Sequence, residues 1–335
     1  MKKSLIALAV LAASGTAMAQ SSVTMFGIVD VGVTHVSATQ SATGLSQSGN
    51  SSSRLGFRGV EDLGGGLKAG FWLEGAVKPD DGTGAGGGNA GPGFAFMRRS
   101  TVSMMGNFGE VRLGRELTAG YVRTSSYDPF GQVGLAAVQG LATARVSNGI
   151  SYHTPGNLGG FGAMAHYGFG EQTSNSLGRY VGLNAGYNNG PLSVGFAVDK
   201  LNGATVAAPD RKTWSLGASY DLGMVKPAFL YSNNKLGAAK DNVIMLALTA
   251  PVGPGRVLAS FSRYDVKNSV NDSHALSVGY VYDLSKRTAL YGTLAHMKNK
   301  NGATKNLNAT GDIGTVTVAP GESVTGYQVG IRHAF

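Results

Sequence analysis

Through most of this chain apolar residues recur at every second position, with small or polar residues between them. Trp214, Leu216, Ala218, Tyr220 and Leu222 alternate with Thr213, Ser215, Gly217, Ser219 and Asp221. Leu192, Val194, Phe196 and Val198 do the same, as do Leu276, Val278, Tyr280, Tyr282 and Leu284. A period of two is that of an extended strand, whose successive side chains point to opposite faces. The two rows differ in kind. The apolar row tends to begin or end on an aromatic residue, whereas the other row carries Gly, Ser, Asn, Asp, Thr and Arg. A soluble sandwich buries its apolar rows against each other. A barrel in lipid turns the apolar row outward and lets the polar row line the interior, with strands of about 9–11 residues flanked by aromatics. The pattern predicts the second arrangement.

The connections support it. Gly64–Gly66, Gly106–Gly109, Asn188–Pro191 and Pro251–Gly255 have the composition of tight hairpin turns. Between them lie longer polar tracts: Ser37–Gly49, Pro79–Pro92, Glu116–Thr143, Gln172–Leu177, Asn202–Pro209, Asn233–Ala239, Lys267–Asp272 and Asn299–Glu322. Short turns at one end and long loops at the other characterise antiparallel outer-membrane barrels. The expected fold is an all-β transmembrane antiparallel β-barrel of 16 strands, the first over 22–36, the second over 51–63 and the last over 324–335. The sequence finishes inside a strand pattern, with Tyr327, Val329, Ile331, His333 and Phe335 in one row. Closure of the sheet explains that, because the last strand pairs with the first and leaves no free edge; Val23–Val33 is the expected partner. Asp241–Thr249 breaks the pattern, being apolar in both rows, and a subunit contact is one reading of it.

Lys2 and Lys3, an apolar run from Leu5 to Ala13 and the small-x-small element Ala17–Ala19 form the three parts of a secretory leader. The expected organisation is a signal peptide over 1–19, cleaved after Ala19, and one barrel domain over 20–335. Without the leader's two lysines the net charge falls from +9 to about +7. Export argues against nucleic acid as the partner of a basic chain, and no run of five or six like charges is present. There is no cysteine, so thiol catalysis and thiolate metal sites are excluded. No mature segment offers about 18 consecutive apolar residues for a spanning helix. The six histidines are scattered without a His-x-x-x-His pair, so no metal and no cofactor is expected. The 52 glycines are about twice the usual share and suit turns and close backbone approaches.

Four segments carry a resemblance: Ser22-Val-Thr-Met-Phe-Gly-Ile-Val-Asp30, Ser53-Arg-Leu-Gly-Phe-Arg-Gly-Val-Glu-Asp-Leu-Gly64, Gly106-Asn-Phe-Gly-Glu-Val-Arg-Leu-Gly-Arg115 and Gly330-Ile-Arg-His-Ala-Phe335. In this order and at these separations the chain resembles the general diffusion porins of Gram-negative outer membranes, beta-proteobacterial type. The resemblance implies a homotrimer of sixteen-stranded barrels, each with a water-filled pore narrowed by an inward-folded third loop. Here that loop is Glu116–Thr143, and its Tyr127-Asp-Pro-Phe-Gly131 resembles the family's Pro-acidic-Phe-Gly element with order and identity altered. It further implies residence in outer-membrane lipid and a role for the terminal Phe335 as a signal read by the barrel-assembly machinery.

Arginine costs about 2–4 kcal/mol on a lipid-facing row near the midplane, so strand arginines are expected in the lumen or near strand ends. Arg54 and Arg58 share a row with Gly56, opposite Leu55 and Phe57, which places both in the lumen. Arg98 or Arg99 opens the fourth strand, Arg115 precedes the third loop and Arg145 follows it. By resemblance, positions such as Arg58, Arg98, Arg115 and Arg145 form a basic ladder facing the inward loop; rim or structural ion-pair roles are the bland alternative. Glu116 and Asp128 are the candidate acidic side of a transverse field. The expected function is passive diffusion of small hydrophilic solutes and ions with a weak preference for anions. An enzyme is not expected, since no Gly-x-Ser-x-Gly elbow occurs. A substrate-specific channel would need aromatic rails in the lumen, and a surface adhesin would use loops such as Pro79–Pro92 and Asn299–Glu322.

Overall fold

A computed structural model describes residues 22–84, 93–173, 176–308, 313–314 and 316–335. The leader expected over 1–19 lies outside the described residues, as do parts of the tracts Pro79–Pro92, Gln172–Leu177 and Asn299–Glu322. The chain forms β1 (Ser22–Ser37), β2 (Ser41–Gln47), β3 (Arg54–Gly64), β4 (Leu67–Ala76), β5 (Arg99–Gly106) and β6 (Gly109–Leu117). A short helix, α1 (Ala119–Ser125), follows. Then come β7 (Arg145–His153), β8 (Phe161–Gly168), β9 (Tyr180–Asn189), β10 (Leu192–Leu201), β11 (Arg211–Tyr220) and β12 (Lys226–Leu236). The last are β13 (Ala239–Val252), β14 (Gly255–Val266), β15 (Ser273–Asp283), β16 (Thr288–Asn299) and β17 (Val324–Ala334).

Each strand pairs antiparallel with its neighbours, and β17 returns to β1 with Ile28 opposite Ala334 and Ser37 opposite Thr325. Beyond the ladder, Gly27 and Phe335 exchange two N–H···O=C bonds of 3.1 Å. The last residue is therefore held in the sheet and the barrel has no free seam. The 17 strands occupy 16 staves, because β2 and β3 both pair with β1, one along its upper half and the other along its lower half. This corrects the sequence expectation at one place: the tract Ser37–Gly49 is mostly a strand. Asp30 holds the break between β2 and β3. Its buried carboxylate accepts N–H bonds from Gly49 (3.1 Å), Asn50 (2.9 Å) and Ser51 (2.6 Å), and the hydroxyl of Tyr291 donates to it at 2.7 Å. An ionised acceptor makes these bonds stronger than neutral ones.

The rows sort as the alternation requires. Val329, Ile331, Leu294 and Leu246 are exposed on the outside. Thr34, Gln328, Ser277, Ser232 and Ser215 are buried on the inside. The tract Asp241–Thr249 is explained by what covers it from within. Val243 and Met245 point inward and join a buried cluster with Leu230, Tyr127, Val138 and Leu141, while Ile244, Leu246 and Leu248 face out. Both rows are apolar because one meets lipid and the other meets the third loop, so no subunit contact is needed to explain it. Each such buried side chain contributes about 1.5–3 kcal/mol, which fastens the loop to the wall.

Candidate constriction site

The loop between β6 and β7 begins with a capped turn. Thr118 is extended and its hydroxyl accepts the N–H of Tyr121 at 3.1 Å, starting α1. The helix is pinned to the inner wall at its first turn: Ala119 N–H donates to the Tyr180 hydroxyl (3.1 Å), Gly120 N–H to Asp199 Oδ1 (3.1 Å), and Asn184 Nδ2 donates to Ala119 O (2.8 Å). Tyr180 in turn donates to Asp199. Farther on, Tyr127 lies on Gly217; a Cβ there would come 2.1 Å from its ring, so only glycine permits this approach. Gln139 N–H then reaches the Tyr264 hydroxyl (3.2 Å) and Leu135 N–H reaches Gln328 Oε1 (3.4 Å). The loop thus lies along the wall from β9 round to β17. The eighth long loop grips it from above, with Gln139 Nε2 donating to Asn306 O (2.6 Å) and Asn308 Nδ2 to Gly134 O (3.0 Å).

The staves from β3 to β7 stay bare, and they carry the arginines. Register puts Arg58, Trp72 and Thr101 on one inward rank, and Gly56, Glu74 and Arg99 on the next. Arg58 stacks on Phe26 (5.2 Å) and Trp72 (5.1 Å), and Arg99 on Trp72 (4.6 Å). Arg98 binds Glu74 Oε1 at 2.6 Å and Arg54 approaches the same oxygen at 3.5 Å. Arg115 donates to Met97 O (2.6 Å) and Ser147 Oγ (2.8 Å), and Arg145 to Arg98 O (2.7 Å). These bonds tie segment 97–98 to β6 and β7. Arg58, Arg99, Arg112 and Trp72 line a recess of about 370 Å³ in this wall.

The arginines differ in their partners. Glu74 serves Arg54 and Arg98, while Glu110 and Glu116 serve Arg112 at 2.8 and 3.0 Å. Among the described residues, Arg58, Arg99, Arg115 and Arg145 have no carboxylate within 4.0 Å. The structure thus brings Arg58, Arg98 and Arg145 onto one wall, whereas the register sets Arg115 opposite Ser100 in the row of Leu113 and Val102, which are exposed on the outside, so Arg115 stands at the rim. Among the described residues only Arg98 of these four has a carboxylate partner.

The two acids suggested for the opposite side stand elsewhere. Glu116 follows a bulge after Gly114 and belongs to the arginine wall, where it accepts from Arg112 and Ser151 and lies 3.6 Å from His153. Asp128 is buried within its own loop and accepts N–H bonds from Phe130 (2.9 Å), Gln132 (3.0 Å) and Val138 (3.3 Å). Burial pushes its carboxyl above the ordinary range despite those donors. Sequence reasoning did not single out Glu74, Trp72 or Arg112, and it named Arg99 only as the alternative to Arg98 at the start of the fourth strand. The signal was present: a charged residue in the small-and-polar row of a strand, as Glu74 and Arg112 are, is as telling when acidic as when basic.

Comparison with known proteins agrees with this geometry. A family model described as Gram-negative porin matches residues 5–302. The chain is 49% identical to outer membrane porin protein 32 of Delftia acidovorans over the whole of both chains. It is 30% identical to an outer membrane porin protein of Bordetella pertussis, over 89% of this chain and 95% of that one. The solved anion-selective porin from Comamonas acidovorans superposes with a TM-score of 0.85 at 48% identity, covering 94% of this chain and 100% of the other. A closed barrel with an apolar exterior, a polar interior and an inward loop, in a chain this similar to outer-membrane porins, belongs to the Gram-negative porin family.

Proposed function

We propose that this outer-membrane channel passes small hydrophilic solutes and ions by passive diffusion with a moderate preference for anions, and that Arg58, Arg98 and Arg145 on the β3–β7 wall line its narrowest part, with Arg115 at the rim. The observation that carries the reading is the imbalance of partners: among the described residues three arginines of the bare wall, Arg58, Arg99 and Arg145, lack a carboxylate within 4.0 Å, and Asp128 on the loop is turned away into its own turn. A unit charge about 6 Å from an ion in water interacts by roughly 0.7 kcal/mol. Three such charges, about half screened at 0.1 M salt, bias entry by about 1 kcal/mol, or roughly sixfold per ion. Such a bias favours anions without excluding cations. The anion-selective relative from Comamonas acidovorans supports the sign.

The test is the reversal potential across a planar bilayer under a tenfold chloride gradient. A potential of the sign set by anion flow is expected; a cation-selective potential would overturn the reading. The same reading takes the functional form to be a homotrimer after removal of residues 1–19, with Phe335 read by the assembly machinery. Chemical cross-linking in detergent should yield a three-chain band, and conductance should rise in triplet steps.

A further inference from the structure

The loop side of the pore carries a charge that the arginine wall does not account for. Between Glu116 and Arg145 the third loop holds two charged residues, Arg123 and Asp128. Asp128 is buried in its own turn. Arg123, in the last turn of α1, is only half-buried. The charge that the loop shows to the lumen is therefore positive.

A floor without side chains seats this arginine. Gly162 on β8, Gly186 on β9, Gly195 on β10 and Gly217 on β11 pair in register and form one rank of the inner face. Tyr127 lies on Gly217, and Arg123 lies on the two glycines beside it. A Cβ on Gly186 would come 2.4 Å from Arg123 Nη1, and one on Gly195 would come 2.5 Å from its Cδ. Bare backbone at both positions admits the side chain this close. Gly186 and Gly195 stand near the turn that joins β9, ending at Asn189, to β10, beginning at Leu192. The first turn of α1 is pinned farther from that turn, by Tyr180, Asn184 and Asp199. The Arg123 side chain thus runs from the helix toward the short-turn end.

Its guanidinium is poorly compensated. Nη2 donates to Asn184 Oδ1 at 3.4 Å, and Nε has no hydrogen-bond partner. Among the described residues no carboxylate lies within 4.0 Å of it. Asp199 on the same stave instead accepts from Gly120 N–H and the Tyr180 hydroxyl. A half-buried charge without a counterion is costly, and the lumen is the side from which one can reach it.

We propose that Arg123 is a second station for small anions, inorganic or carboxylate, on the short-turn side of the third loop and away from the arginine wall. The proposal rests on the anion preference proposed above and extends it. An acidic loop would set a field across the pore, drawing anions to one wall and cations to the other. With positive charge on both sides, anions are favoured and cations disfavoured across the whole passage. A charge near one mouth also acts unequally from the two sides, because the Debye length is about 30 Å in 0.01 M salt and about 10 Å in 0.1 M.

The test is the reversal potential of single channels in a planar bilayer, with the dilute solution placed on each side in turn. A unit charge about 6 Å from a passing ion changes the anion-to-cation ratio about fourfold near 0.1 M. R123Q should lower the ratio by about that factor in one gradient direction and by clearly less in the other, and R123K should keep the parent values in both. R123C, the only cysteine in its chain, adds a rescue by charge: a trimethylammonium thiol reagent restores the parent ratio and a neutral reagent of the same size does not. Gly186→Ala leaves the arginine but fills its seat, so the difference between the two directions should shrink without loss of anion preference. Heat-modifiable mobility checks that each variant is folded. If R123Q does not fold, R123C read before and after the reagent in one channel, together with Gly186→Ala, carries the test. An anion-selective parent with an unchanged ratio in R123Q, equal shifts in both directions, or equal recovery with the neutral and cationic reagents would overturn this proposal alone. A cation-selective parent would overturn the reading on which it rests.

Discussion

Removing one charge from each class of site on the arginine wall should move ion selectivity in opposite directions. Among the described residues Arg58 has no carboxylate within 4.0 Å, and it is held by two rings, so Arg58→Ala deletes a whole positive charge from the lumen. Glu74 is shared by Arg54 and Arg98, so Glu74→Gln releases about one positive charge into it. At about 6 Å in water either change is worth roughly 0.7 kcal/mol per monovalent ion. With a Debye length of about 10 Å at 0.1 M this falls to about 0.4 kcal/mol. The effect has opposite signs for anion and cation, so the anion-to-cation permeability ratio shifts by about 0.8 kcal/mol, close to fourfold. At 1 M salt, where the Debye length is about 3 Å, the shift shrinks to less than about 1.5-fold. Reversal potentials under salt gradients centred on those two concentrations provide the assay. Arg58→Ala should lower the ratio about fourfold at 0.1 M and Glu74→Gln should raise it by a similar factor. Loss of the two cation–π contacts costs about 1–2 kcal/mol of stability, too little to unfold a barrel. If both variants moved the ratio the same way, or if the shifts persisted undiminished at 1 M, pore width rather than charge would be the cause and the reasoning would fail.

Other outcomes follow from the same geometry. Asp30→Ala strips three backbone N–H groups and Tyr291 of their acceptor, and it should lower unfolding stability by about 3–5 kcal/mol in urea titrations of the folded barrel. Gly217→Ala forces Tyr127 off the wall; about 1–3 kcal/mol of stability should be lost and single-channel conductance should change, because the loop shifts into the lumen. Met245→Ala, under the same loop, should cost about 2–5 kcal/mol in the same titration. Asp128 adds a pH dependence. Its folded pKa is raised above the ordinary 3.8, so its contribution is full below that value and is lost as pH rises through the folded pKa. The protection factor of the Val138 amide, corrected for the intrinsic rise of exchange with pH, should therefore fall over that window in the parent and stay flat in Asp128→Asn.

The rows, the lipid-facing side and the closing pair of strands were legible because a period of two survives in nearly every stave. Val329 and Ile331 face out and Gln328 faces in, as their alternation requires. The second stave was only half legible. Ser41–Gln47 has the composition of a loop, and the break that follows it is held by Asp30 on β1, itself fixed by Tyr291, which lies far away in the sequence. Asn233–Ala239 also read as a loop, yet β12 runs to Leu236 and β13 begins at Ala239. The inner apolar row of β13 was visible as an anomaly, and its cause needed the loop in place. In the site, an arginine in a polar row was enough to locate the wall. Which arginine is neutralised depends on pairing between strands, as Glu74 with Arg98 shows, and single-strand patterns carry no information about that. The seven-residue α1 is too short to leave a helical period.

Because the chain has no cysteine, adjacent single replacements can report on which side of the wall each side chain lies. Arg58→Cys and Phe57→Cys, reconstituted in a planar bilayer and exposed to a negatively charged, membrane-impermeant thiol reagent, test the inside-out arrangement most directly. The arrangement predicts that Arg58→Cys reacts from the aqueous phase, with a stepwise fall in conductance and a weaker anion preference, while Phe57→Cys stays silent in lipid. Reaction at Phe57→Cys with no response from Arg58→Cys would contradict it.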